Sequence, residues 1–174
     1  MTLLAALAEA VRTEGGLPEG TVRRPPAGAS AALGELAASG PRARGREEEY
    51  GVLVEAVHEG YLLHYDRGGR VVAPADPDLA LLAGDRLYAL GLARLAALGD
   101  VEAIAELADV IGLCSAAQAA EDPALAEAVW RAGATAVGYG TSPAHAAAKT
   151  RARRGDAGAA RALAAAARQL ETRG

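Results

Sequence analysis

Three histidines, a stripe of carboxylates and one cysteine are the side chains from which chemistry could be built. His58 and His64 are six residues apart and project from different faces of any helix, while His145 is distant from both. That spacing does not suit a shared zinc ion, so packing or surface roles are expected. Glu55, Glu59 and Asp66 return near one helical face and could in principle hold a hard cation. Carboxylates a turn or more apart are more simply explained as solvated members of a polar face. Cys114, the only cysteine, lacks an activating base nearby in sequence and is expected to act as a small buried hydrophobe. No serine stands in a nucleophile-elbow context and no glycine-rich loop follows a strand. Lys149, Arg151, Arg153 and Arg154 make the densest basic patch, which could meet a diphosphate, an acidic partner or a membrane surface. The membrane is not otherwise indicated, and basic residues in the last turn of a helix are accounted for by its dipole. The sequence thus lacks a complete catalytic constellation.

Bulk properties narrow the class. A chain of 174 residues fits one domain. Apolar residues make up 51% of it, but aromatics only 3% and phenylalanine is absent, so alanine, leucine and valine must build the interior from closely packed helices. A net charge of -4 argues against non-specific nucleic-acid binding. A lone cysteine permits no internal disulfide, and the opening Met1-Thr2-Leu3-Leu4 has neither a basic region nor a convincing cleavage site. A cytoplasmic protein starting near Met1 is expected.

The elements that must position these residues read as helices. Leu3, Leu4, Leu7 and Val11 form one stripe of a short amphipathic helix over residues 3–12. Residues 13–45 are crowded with glycine and proline and are expected to be loop-rich and partly mobile, with one weak helix over 30–38. Region 1–45 is therefore set apart from a helical bundle domain over 46–174. A helix over 46–66 opens on Glu47, Glu48 and Glu49, which suit the positive end of its dipole. Asp76-Pro77, Asp100, Asp122-Pro123 and Ser142-Pro143 are N-cap signals for four more helices, and Asp156 for a last, alanine-rich one. Only Val71-Val72 hints at a strand, so the class is all-α.

Between residues 79 and 98 the leucines point all round the helix, which predicts a buried central helix; Asp85, Arg86 and Arg94 make a membrane span too costly. Asp85 on such a helix needs a partner or a cavity, and Gly84 beside it would allow another backbone or a ligand to come close. The segment Leu81-Leu82-Ala83-Gly84-Asp85-Arg86-Leu87-Tyr88-Ala89-Leu90, continuing through Leu95-Ala96-Ala97-Leu98-Gly99-Asp100, resembles the leucine-alanine-glycine-aspartate helix of trans-polyprenyl diphosphate synthases. It is most similar to the small, non-catalytic subunit of two-component heptaprenyl diphosphate synthases.

The resemblance implies a single-domain helical bundle like a truncated synthase, acting in menaquinone side-chain biosynthesis beside a catalytic polyprenyl diphosphate synthase subunit. Catalytic members carry a histidine, an aspartate-rich motif and an arginine-glycine loop. Here the matching stretch keeps His58 and Arg67-Gly68-Gly69-Arg70 but not the paired aspartates. Trp130 to Gly138 resembles the helix before the second aspartate-rich motif, yet Tyr139-Gly140-Thr141-Ser142-Pro143 follows without acids. Ionising an allylic diphosphate needs magnesium held by carboxylates, so the resemblance implies that Mg2+ belongs to the partner and that this chain binds no cofactor. It implies partner or substrate contacts at His58, Arg67, Arg70, Gly84, Asp85 and Tyr88, with the isoprenoid chain near the interface. Two other readings stand beside it: a helical adaptor or assembly protein of another complex, and a small homodimeric enzyme using Asp85 and Tyr88 in an apolar pocket.

Overall fold

A computed structural model describes residues 1–65 and 68–173. The chain is an all-α bundle of α1 (Leu3–Glu14), α2 (Ala32–Ala38), a 3-10 turn (Pro41–Ala43), α3 (Glu47–Tyr65), α4 (Pro77–Ala97), α5 (Val101–Ala119), α6 (Pro123–Tyr139), α7 (Pro143–Arg153) and α8 (Ala159–Glu171). Most starts follow from local hydrogen-bonding demand. The first backbone N–H groups of a helix lack carbonyl partners, and the side chains of Asp76, Asp100, Asp122 and Ser142 accept from them at α4, α5, α6 and α7. Each such cap is worth about 1 kcal/mol. Asp156 does not cap α8: that helix starts after Gly158, with no side-chain cap, and Asp156 instead faces Arg151 at 3.6 Å.

The central helix is α3, whose buried residues include Tyr50, Leu53, Val54, Val57 and Leu63. One side of it faces the core shared with α5, α6 and α8, through Leu107, Val129, Trp130 and Leu163. Its other side meets Leu4, Leu7 and Val11 of α1, Ala83 and Leu87 of α4, and Val71 and Val72 of the following loop. Burying one leucine of this kind contributes about 1.5–3 kcal/mol, so α1 is anchored by its stripe.

The expectation of a buried central helix over residues 79–98 is therefore corrected. Helix α4 buries Ala83, Leu87 and Leu95 but leaves Leu81 and Leu82 46% and 65% exposed. Gly84 and Gly91 explain the one-sided docking. A Cβ at Gly84 would lie 2.5 Å from the His64 ring, and one at Gly91 would lie 2.6 Å from Val57 Cγ2. Helix α4 thus presses its glycine face on α3, which leaves Leu82 on the opposite side exposed and Leu81 half-covered at the edge of the contact, beside Leu63, His64 and Pro74.

Residues 13–45 are more ordered than their composition suggests. Helix α2 packs against both α3 and α6, and Gly138 and Ala37 come so close that a Cβ on Gly138 would collide with the Ala37 carbonyl. Val22 and Val72 form an isolated antiparallel bridge, flanked by Arg23 N–H to Val71 O at 2.8 Å and Ala73 N–H to Thr21 O at 2.9 Å. The strand hint at Val71-Val72 resolves to this bridge. Among the described residues no helix is long and apolar enough to cross a membrane.

Candidate functional site

A buried ion cluster lies at the heart of the molecule. Glu55 and Glu59, one turn apart on α3, are both fully buried, which corrects the expectation of a solvated stripe; Asp66 lies outside the described residues. Arg70 reaches in from the next loop, with Nη1 2.7 Å from Glu55 Oε2 and Nε 3.1 Å from Glu59 Oε2. Glu59 Oε1 also accepts from the backbone N–H groups of Val71 at 2.5 Å and Val72 at 2.9 Å. Glu55 Oε1 accepts from Gly34 N–H at 2.7 Å. Burial alone would raise the Glu55 pKa, but His58, Arg70 and the Gly34 amide outweigh it and hold the carboxyl below its ordinary value. One helix face thereby fixes both the loop after α3 and the start of α2.

His58 stands on the edge of this cluster, with Nδ1 3.7 Å from Glu55 Oε2. Its ring packs against Trp130, with centroids 4.8 Å apart, and is stacked with Tyr61 at 6.1 Å. Arg67 lies outside the described residues. His58 and Arg70 therefore meet the same carboxylate, although twelve positions separate them.

Gly84, Asp85 and Tyr88 gather around the other α3 histidine. His64 stacks on Tyr88 with centroids 5.2 Å apart and planes 12° apart. Its Nδ1 is 2.9 Å from the Gly60 carbonyl and its Nε2 3.2 Å from Asp85 Oδ1. Asp85 was expected on a buried surface, but its side chain is 69% exposed and His64 is its partner at the rim. Burial carries the Tyr88 hydroxyl well above its ordinary pKa. Six candidate contacts thus resolve into a Glu55-centred group holding His58 and Arg70, a His64-centred group holding Gly84, Asp85 and Tyr88, and undescribed Arg67.

Sequence reasoning missed a third centre. Glu106 of α5 is buried and faces His145 Nε2 at 2.8 Å and Lys149 Nζ at 2.6 Å, both on α7. Asp109 then pairs with Lys149 at 2.7 Å and Arg153 at 2.6 Å. Much of the basic patch is thus consumed by internal acids. A glutamate on the apolar side of α5, three positions before Asp109, was the available signal. Cys114 is buried, and burial pushes its thiol up to about 12, the opposite of what a nucleophile needs.

These groups do not make a magnesium cage. Glu55 and Glu59 are committed to a guanidinium and to backbone amides, and among the described residues no three or more His, Cys, Asp or Glu side chains are placed to hold a metal ion. No family model matches the chain, and neither a curated protein nor a solved structure is significantly similar to it.

Proposed function

We propose that this chain is the non-catalytic subunit of a hetero-oligomeric long-chain polyprenyl diphosphate synthase of menaquinone side-chain biosynthesis, which binds the catalytic subunit through α4 and helps shape the product tunnel. The observation that carries the reading is the outward face of α4. Leu82, Ala89, Ala93 and Ala96 return to one side of the helix and are exposed, with half-exposed Leu81 to one side and the exposed charges of Asp85 and Arg86 at the edges of the stripe. Exposed leucines backed by a tightly docked helix form a preorganised apolar surface of the kind that marks an interface. The commitment of Glu55 and Glu59 to Arg70 supports assigning Mg2+, and with it the ionisation of the allylic diphosphate, to the partner.

The test is co-expression with a candidate catalytic subunit, followed by product analysis with and without this chain. The expected result is co-purification and a longer or more abundant prenyl product, both reduced by Leu82→Asp. Unchanged product length and yield discard the reading. Prenyl transfer by the isolated chain with Mg2+ overturns its non-catalytic character.

A further inference from the structure

A second feature lies on the other side of α3 and does not depend on the subunit reading. A cleft of roughly 410 Å³ opens between α2, α3, α5 and α6, within the range of about 300–1,000 Å³ typical of small-molecule sites. Its apolar lining comes from Leu33 and Leu36 of α2 and Pro123 and Ala126 of α6. The only tryptophan of the chain, Trp130, also lines it, edge-on to Tyr61 at a centroid distance of 5.4 Å.

The polar groups around this cleft are mostly donors. Trp130 is 4% exposed and its buried Nε1–H has no hydrogen-bond partner among the described residues. Gln118 spends one amide hydrogen on the Tyr61 hydroxyl at 2.5 Å, and an amide nitrogen carries two. His58 directs its buried Nδ1 toward Glu55 Oε2 at 3.7 Å, beyond hydrogen-bond distance, and that nitrogen has no hydrogen-bond partner among the described residues. Arg131 stands among the lining residues with its side chain 54% exposed, held by Glu171 at 3.1 Å. Glu127 is the only acid in the lining, and it is exposed. Donor groups beside an apolar wall complement an acceptor-rich head joined to an apolar body.

We propose that this cleft binds a single-chain amphiphile with an anionic head, the chain lying on Leu33, Leu36 and Ala126 and the head held by Arg131, Gln118 and His58. A fatty carboxylate and a short isoprenoid diphosphate share this chemistry. Trp130 supplies the readout, since its fluorescence comes from the cleft wall alone.

The full-length protein is titrated with decanoate and with geranyl diphosphate, against decanol and inorganic pyrophosphate, while Trp130 emission and the melting temperature are followed. A saturable emission change with a raised melting temperature is expected for at least one anionic amphiphile. Which of the two binds more tightly identifies the source of the head group. Arg131→Gln is expected to weaken binding about tenfold, the loss of one charge-assisted contact, and Leu33→Glu to abolish it. Arg131 is exposed, so its variant remains informative if Leu33→Glu fails to fold. No response to either amphiphile, an equal response to decanol, an unchanged affinity in Arg131→Gln, or a response to pyrophosphate alone overturns the proposal.

Discussion

Arg70 is the shared cationic partner of two carboxylates that are fully buried, and the consequences of removing it are correspondingly severe. Breaking a buried pair from one side leaves an uncompensated charge and costs about 3–5 kcal/mol. Arg70→Met is therefore expected to lower stability by about that amount in urea titrations at neutral pH, whereas truncating exposed Arg154 changes stability by less than about 0.5 kcal/mol. The pH dependence follows from the same group. Glu55 has a folded pKa below its ordinary value, so its contribution is fully present above the ordinary carboxylate range and is lost as pH falls through the folded value. Glu55→Gln should flatten the acid limb of a stability–pH curve; an unchanged acid limb would contradict the assignment. Little of this was legible beforehand. The spacing of Glu55 and Glu59 gave their common face, but which side of α3 is inside depends on α2 and on a loop eleven residues away. Tertiary placement decided it, and Asp85 erred in the opposite direction for the same reason.

The helices themselves were far more legible, because their boundaries depend on nearest neighbours. Asp-Pro and Ser-Pro pairs supply a cap and a fixed φ within two residues, and α4, α6 and α7 begin where those pairs stand. Packing direction was not legible. Leucines distributed round α4 suggested burial on all sides, whereas its docking is decided by Gly84 and Gly91 against α3. The glycines make separate predictions. Gly112 of α5 has open space where a Cβ would go, and removing a helical glycine's backbone freedom gains about 0.5–1 kcal/mol. Gly112→Ala is expected to raise the melting temperature. Gly138→Ala pushes a methyl group into the Ala37 backbone, which cannot rotate away; the expected loss is about 1–3 kcal/mol or more, read as a lowered urea midpoint. Equal effects of the two substitutions would refute this account of the α2–α6 contact.

At the scale of the molecule, α3 divides the interior into two cores, and the outer side of α4 carries an apolar stripe between exposed Asp85 and Arg86. Leu81 and Leu82 are 46% and 65% exposed, so Leu81→Ser with Leu82→Ser removes at most about one leucine's worth of burial, and the monomer should lose no more than about 1.5–3 kcal/mol of stability. Any association through this face, with a second copy or with the catalytic subunit proposed above, should weaken, as sedimentation velocity would record. A large loss of stability would instead mean that these leucines are needed within the monomer. The all-α class followed from periodicity and the absence of alternation; the sharing of one core by the first helix and the bundle did not, because glycine and proline density conceals the tertiary anchors of a loop. Those anchors have a further effect. Helix α1 is gripped by the buried side chains of Leu4, Leu7 and Val11, by Arg86 Nε to Gly15 O at 3.0 Å, and by Arg94 to Glu14 at 2.9 Å, all before the exposed backbone of residues 18–20. A protease that severs that short stretch would break the covalent chain without freeing its leading segment, and the two pieces should co-elute as a nicked heterodimer that reassembles when mixed.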